Sequence, residues 1–144
     1  MLDRLREAKW LDMLDSNLPA YATAFPSKFR RRVRRGIPAS LRGIVWLKLS
    51  GAQALLERDN GLYKRLVATA TPWESRIQRD LHHTFPRHPL FRDSQGWGQQ
   101  ALGNVLCALS HYDPQVGYCQ GLGFIGALLL EYMDECSAFW LATV

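Results

Sequence analysis

Two short segments hold the side chains best suited to chemistry, Ile77-Gln-Arg-Asp80-Leu-His-His83 and Tyr118-Cys-Gln120. The amide of Gln120 can donate and accept hydrogen bonds at once, as the positioning of a reacting water requires. The alternative is a turn glutamine that bonds to local backbone. Asp80 lies three residues after Ile77, at the border of an apolar stripe, where an acid needs a cationic or amide partner. We predict Arg42 as that partner; the alternative is a helix acid stabilised by the helix dipole.

Helices must position both segments. Apolar residues recur with a period near 3.6, and no segment alternates with period two for long enough to predict a strand, so the chain is predicted to be all-α. Thr71-Pro72-Trp73-Glu74 predicts a helix start with Thr71 as its cap. A second helix is predicted from about Gly98 to Tyr112. The almost wholly apolar segment Leu122–Met133 predicts a helix in the centre of the core.

Charge and cysteine content narrow the function classes. The net charge of +5 favours an acidic partner or an anionic membrane surface. Three cysteines form no CxxC pair and leave an odd count, which is typical of a reduced, intracellular compartment. The N-terminus interleaves acids and bases, unlike a signal peptide. The longest apolar stretch, Leu122–Leu130, is far below the ~20 residues of a membrane span. We expect no metal site, because the histidines lack a cysteine or carboxylate set at ligand spacing.

A basic segment, Lys28–Arg35, places six positive charges in eight residues. Such a segment can contact anionic lipid or nucleic acid, or serve as an import signal. The alternative is a solvated helix face that leads into the domain. Phe29 and Val33 are four residues apart, which predicts an inward side for this helix.

In their order and spacing, these segments resemble the TBC domain, the fold of Rab GTPase-activating proteins. The run Arg35-Gly-Ile-Pro-Ala-Ser-Leu-Arg42-Gly-Ile-Val-Trp46 fits the same pattern. The resemblance implies a multi-helix TBC domain over residues 29–144, preceded by a helical lead-in over residues 1–28.

The C-terminal segment predicts a helix that the sequence does not complete. Phe139, Trp140 and Leu141 open an apolar pattern that stops without a cap. We therefore expect the C-terminal part of the domain to be missing, and these three side chains to lack most of their packing partners.

The resemblance also implies a role for each motif residue. In the family, the first motif reads Ile-x-x-Asp-x-x-Arg and ends in the catalytic arginine finger; here that position is His83. Gln120 matches the glutamine finger, which orients the attacking water. Asp80 matches the residue that braces the finger region, and Tyr118 is expected to position the loop. Ile77 matches the apolar residue that opens the motif, while Arg42 and Trp46 are expected to be structural, with Trp46 in the core.

The departure at His83 affects the implied activity directly. An imidazole is shorter than an arginine side chain and mostly neutral at pH 7, so it cannot offer phosphate oxygens a permanently charged fork. An arginine finger contributes ~10³–10⁵ in rate. A histidine finger is one alternative, and a solvated helix histidine is another. A third is compensation by Arg79 or Arg87, which lie near the motif position.

Two functions from different classes follow from the resemblance. One is a GTPase activator for Rab proteins in membrane traffic, cytoplasmic and peripheral to endomembranes, whose activity is weakened at His83. The other is a Rab-binding scaffold without catalysis. In both, the partner is the GTP form of a Rab, and GTP and Mg²⁺ belong to that partner. A third class, a nucleic-acid-binding module, rests only on the basic segment.

Overall fold

The computed structural model describes the backbone of residues 2–144 and the side chains of residues 4–144. Met1, the first residue of the predicted lead-in, lies outside the described residues. All regular secondary structure within residues 2–144 is helical, which confirms the all-α prediction. The chain forms two compact units, Met1–Gly51 and Ala52–Val144. No helix of the described part is long and apolar enough to cross a membrane.

The first unit contains four α-helices around one apolar cluster. Their bounds are α1 Leu2–Asp15, α2 Leu18–Ala24, α3 Pro26–Arg34 and α4 Arg42–Ser50, with a 3₁₀ turn at Ala39–Leu41 before α4. The buried members of the cluster come from α1, α2 and α4: Trp10, Met13, Leu14, Leu18 and Val45. Phe29 packs edge-on against Trp10 with ring centroids 6.1 Å apart. This contact joins α3 to the cluster.

Trp46, Arg42 and Phe29, which the sequence singled out in this unit, are each half-buried. Trp46 is only half-buried, but it packs against the apolar cluster. The Arg42 side chain is half-buried, and its Nε donates a hydrogen bond to the Ile37 carbonyl oxygen at 3.3 Å. Phe29 is half-buried as expected, whereas Val33 is exposed, so the predicted inward side of α3 is wrong at that residue. The pairing of Arg42 with Asp80 stays a prediction.

The second unit contains six helices with α8 in its centre. Their bounds are α5 Ala52–Glu57, α6 Leu62–Val67, α7 Glu74–Leu81, α8 Trp97–Tyr112, α9 Leu122–Leu130 and α10 Glu135–Ala142. Helix α8 contacts α6, α7, α9 and α10. Its inward residues Leu102, Val105 and Leu106 are completely buried. The long amphipathic helix predicted from the sequence is therefore the scaffold on which this unit is built.

Helix α9 differs from its prediction as a wholly central helix. Phe124, Ile125 and Leu128 are 49%, 53% and 45% exposed, while the opposite side is buried against α8. That opposite side includes Gly126, where an added Cβ would lie 2.9 Å from a Leu102 methyl group. The small residue lets the two helices approach closely, so the buried side of α9 combines small residues with Leu129 and Leu130.

The C-terminal helix is better packed than expected. Phe139 is completely buried and Trp140 is 5% exposed, so the expectation that they lack most packing partners is wrong. Phe139 lies against Tyr63 with ring centroids 5.3 Å apart. Phe139 and Trp140 each contact Tyr112 edge-on. Leu141 is half-buried. An aromatic cluster formed by α6, α8 and α10 thus holds this end of the unit.

Candidate functional site

The first segment of the site is carried by α7 and the turn after it. Ile77 is buried and anchors α7, which places Asp80 in the last turn. The Asp80 carbonyl oxygen accepts hydrogen bonds from the His83 backbone N–H at 3.1 Å and from Thr84 Oγ1 at 2.8 Å. Because Thr84 is buried, its hydrogen bond to Asp80 attaches this turn to the interior of the unit. His83 is left on the exposed side, just past the helix.

The start of α7 was predicted incorrectly. The helix begins at Glu74, and Thr71 does not cap it. Instead the buried Thr71 hydroxyl shares a hydrogen bond of 2.8 Å with Ser110 Oγ of α8 and accepts one from the Trp73 N–H at 3.3 Å. The polar side chain therefore joins the segment before α7 to the central helix.

The second segment of the site lies in the turn between α8 and α9. Gly117 has φ of +60°, a conformation that suits glycine, and an added Cβ there would lie 2.8 Å from the Trp73 indole. The Gly117 N–H donates to the Asp113 carbonyl oxygen at 2.8 Å, which closes the turn. The turn therefore packs directly against Trp73, which immediately precedes α7. This contact places Tyr118 and Gln120 beside α7.

A single short hydrogen bond joins the two segments. Tyr118 Oη donates to Asp80 Oδ2 at 2.6 Å. Burial and the adjacent Asp80 carboxylate raise the pKa of the Tyr118 hydroxyl above its ordinary value. The hydroxyl is therefore a donor at neutral pH, and it satisfies the half-buried carboxylate. The bond holds the two side chains together, while the bracing role of Asp80 and the positioning role of Tyr118 stay predictions.

The side chains meet around one open cavity of about 470 Å³, which we name the Gln120 cavity. Its lining residues come from α7, the turn after it and the α8–α9 turn: Arg76, Arg79, Asp80, His83, Tyr118 and Gln120. A smaller hollow of about 170 Å³ adjoins it and is lined by four of the same residues together with the start of α9. The structure thus brings Asp80, His83, Tyr118 and Gln120 together around one cavity.

The two exposed finger-position residues have free side chains. Neither the Gln120 carboxamide nor the His83 imidazole makes a hydrogen bond within the described residues. The alternative reading of Gln120 as a turn residue bonded to local backbone is therefore not what the structure has. Both side chains can turn toward a bound partner without breaking a hydrogen bond within the described residues.

Sequence reasoning missed Arg76 as a site residue. It lies one helical turn before Asp80 and before Arg79, so it shares their side of α7. Its guanidinium carbon lies 5.2 Å from the centroid of the Trp73 ring, which orients the side chain beside the cavity. The spacing of one helical turn between Arg76 and Asp80 was the feature of the sequence that could have identified Arg76 as a site residue. Of the two compensating arginines considered, Arg79 lines the cavity and Arg87 does not.

Comparison with known proteins places this site in a family. Residues 39–143 match the Rab-GTPase-TBC domain family. The chain is 43% identical over 139 residues to mouse TBC1 domain family member 10A, covering 95% of this chain and 28% of the relative. It is 44% identical over 117 residues to the Caenorhabditis elegans Rab GTPase-activating protein tbc-11, covering 79% of this chain and 12% of the relative.

A solved structure agrees with these relatives. The crystal structure of the Chlamydomonas flagellar RabGAP TBC domain superposes with a TM-score of 0.75 at 26% identity, over 97% of this chain and 52% of that one. The chain thus spans about half of the solved domain and less than a third of each of the two relatives. The match over residues 39–143, the helical fold and the order of the two motifs lead to one conclusion: the chain belongs to the Rab-GTPase-TBC domain family.

Proposed function

We propose that this chain accelerates GTP hydrolysis by a Rab-family GTPase, which it engages in the GTP form. The hydrolysis itself is carried out by the partner, which supplies GTP and Mg²⁺, so the chain regulates an enzyme and is not one. The names of the relatives support the partner class, since one is a Rab GTPase-activating protein and the superposed structure is a RabGAP domain. Rab proteins work on endomembranes, and the chain would act at their cytoplasmic surface.

The observation that carries this proposal is the free carboxamide of Gln120 at the Gln120 cavity. Hydrolysis in a small GTPase is limited by a poorly positioned water, and a group that donates and accepts together can orient it. Gln120 is exposed on a turn that Gly117 and Trp73 hold in place, and the bond to Asp80 fixes Tyr118, two residues before Gln120. An amide on a rigid support loses little freedom when it meets the water.

Positive charge at the Gln120 cavity supports a second part of the proposed mechanism, the stabilisation of charge in the transition state. The transition state develops charge on phosphate oxygens, which a cation near them stabilises. His83 holds the finger position, and Arg76 and Arg79 line the same cavity. We infer that these arginines supply part of the charge that the imidazole cannot.

The second candidate function is a Rab-binding scaffold without catalysis. The histidine at the finger position favours it, because a finger contact strengthens mainly in the transition state and can be lost with little change in binding. The two functions share a partner and a surface. They differ only in whether bound GTP is hydrolysed faster.

One experiment separates the two functions. The chain is mixed at saturating concentration with each member of a panel of GTP-loaded Rab proteins, and single-turnover phosphate release and binding are measured together. Faster release on at least one Rab supports the activator, and binding without faster release supports the scaffold. If no Rab in its GTP form binds, both proposals are wrong.

A further inference from the structure

Positive charge is concentrated in the first unit of the chain. Residues 1–51 contain eleven Lys and Arg against four Asp and Glu, a net charge of +7. Residues 52–144 contain seven Lys and Arg against nine Asp and Glu, a net charge of −2. The basic character of the chain therefore belongs to the unit that does not contain the Gln120 cavity.

Six of these cations converge on a groove of about 500 Å³ between α1 and α3, which we name the basic groove. Its cationic lining residues are Arg6, Lys9, Lys28, Arg31, Arg32 and Arg35. Leu5 and the buried face of Trp10 complete it, and no acidic residue among residues 4–144 lines it. The basic segment predicted from the sequence is thus one wall only, and α1 supplies the other. A solvated helix face, the alternative considered for that segment, would not place charges from two helices around one hollow.

The walls of the basic groove are fixed to each other. Arg32 Nη1 donates to the Lys9 carbonyl oxygen at 2.8 Å, and Arg6 Nη1 donates to the Arg35 carbonyl oxygen at 3.3 Å. Both bonds join α3 to α1, so the hollow exists before any ligand enters. A pre-organised site loses less conformational entropy on binding than one that must assemble.

Several cations of the groove have no anionic partner within the described residues. The ammonium of Lys28 lies 5.9 Å from the ring centroids of Tyr21 and Phe25 and makes no ion pair there. The side chains of Lys9, Arg31 and Arg35 likewise meet no carboxylate in the described part of the chain. Like charges held this close repel one another, and a multivalent anion in the hollow would relieve that repulsion.

We propose that the basic groove binds the polyphosphorylated headgroup of an anionic phospholipid and holds the chain on a membrane. Exposed apolar side chains on α1 and immediately before α3 favour a membrane over nucleic acid. Leu5 at the groove and Phe25 at the start of α3 are 54% and 53% exposed. Apolar side chains beside a basic surface enter the boundary between headgroups and acyl chains, while the cations bind phosphate. The proposal is independent of the activity at the Gln120 cavity.

The α3 helix offers a charge-matched pair of variants for the test. Arg31→Gln with Arg35→Gln removes two charges that line the groove. Arg30→Gln with Arg34→Gln removes two exposed charges of the same helix that do not line it. Both double variants lose the same net charge, so a difference in vesicle binding between them is due to the basic groove and not to net charge. Circular dichroism and thermal melting check that both remain folded.

Binding is measured by co-sedimentation with vesicles. Phosphatidylcholine vesicles with about 5 mol% phosphatidylinositol bisphosphate are compared with vesicles carrying about 20 mol% phosphatidylserine, which have about the same total charge. We expect tighter binding to the bisphosphate vesicles. The groove variant should bind them about 30-fold more weakly, at about fivefold for each charge lost. The control variant should lose less than about threefold, because its charges act only at a distance.

Four outcomes would overturn the proposal. The first two are equal binding to both kinds of vesicle and equal loss in both double variants, because either would indicate general attraction to a basic surface. Another is binding of soluble inositol trisphosphate without vesicle recruitment, which would make a free polyphosphate the ligand. The last is binding of an RNA oligonucleotide more tightly than the vesicles, with the loss confined to the groove variant.

Discussion

Replacing His83 with arginine tests the reading of the Gln120 cavity most directly. His83 is exposed and its ring makes no hydrogen bond within the described residues, so the change should alter the free energy of unfolding by less than about 0.5 kcal/mol. An arginine finger contributes at least ~10³ in rate, which is ~4 kcal/mol of barrier. A finger misplaced by ~1 Å can lose ~10² of that factor. We therefore expect His83→Arg to raise the hydrolysis rate by about 10- to 10³-fold.

Neighbouring charges set where in that range the gain falls. Arg76 and Arg79 already line the cavity, so part of the electrostatic stabilisation is present before the substitution. The Asp80 carboxylate already accepts the Tyr118 hydroxyl, which lowers its tendency to draw the new guanidinium away from the phosphates. Binding of the GTP form should change far less than the rate, because the finger acts mainly in the transition state.

The assay is single-turnover phosphate release from GTP-loaded Rab proteins at saturating chain. His82→Arg is the matched control: His82 is also exposed and adjacent in sequence, but it does not line the Gln120 cavity. An equal gain in both variants would indicate a general effect of charge and refute the geometric argument. A wild type already at full activator rates that loses nothing on His83→Ala would place the charge elsewhere, with Arg79 and Arg76 as the next residues to remove.

Three other substitutions test Gln120 itself and the residues that hold it at the cavity. Gln120→Ala should lower the hydrolysis rate of the saturated complex while sparing binding, as separate kcat and Kd measurements would reveal. Tyr118→Phe removes the bond to the Asp80 carboxylate and should lower the free energy of urea unfolding by about 1.5–3 kcal/mol. Because the pKa of Tyr118 is raised in the folded state, its contribution to stability is complete below about pH 10 and is lost as pH rises further. Tyr118→Phe should therefore reduce the loss of stability at alkaline pH. Gly117→Ala should cost about 1–3 kcal/mol in thermal unfolding, because its Cβ would meet the Trp73 ring at positive φ.

Two of these substitutions, Gln120→Ala and Gly117→Ala, have a comparison within the chain. Gln115→Ala changes an exposed glutamine that does not line the cavity, and it should leave the hydrolysis rate unchanged. Loss of binding by Gln120→Ala with no change in the rate per complex would contradict the proposed role. Gly51→Ala also has positive φ but no atom within 4 Å of the added Cβ, so it measures the backbone cost alone. If Gly51→Ala costs as much as Gly117→Ala, Trp73 does not support the turn.

Much of the local structure follows from the sequence by itself. A period near 3.6 predicts helices wherever it persists, and the structure has α8 and α9 within a few residues of their predicted bounds. The order of the two motifs predicts the family, which the match over residues 39–143 confirms. Helical periodicity depends on neighbours in the chain, and motif order is a property of the sequence, so neither requires knowledge of the packing.

Tertiary packing decided which side of each helix is buried and which distant residues meet. The almost wholly apolar sequence of α9 does not show which of its side chains are buried, and close contact with Leu102 at Gly126 selected the buried side. The pairing of Tyr118 with Asp80 joins positions 38 residues apart. The basic groove needs α1 opposite α3, whereas the sequence presents only the second wall. Docking between helices depends on the shapes and small residues of both surfaces, and periodicity along one helix describes only its own.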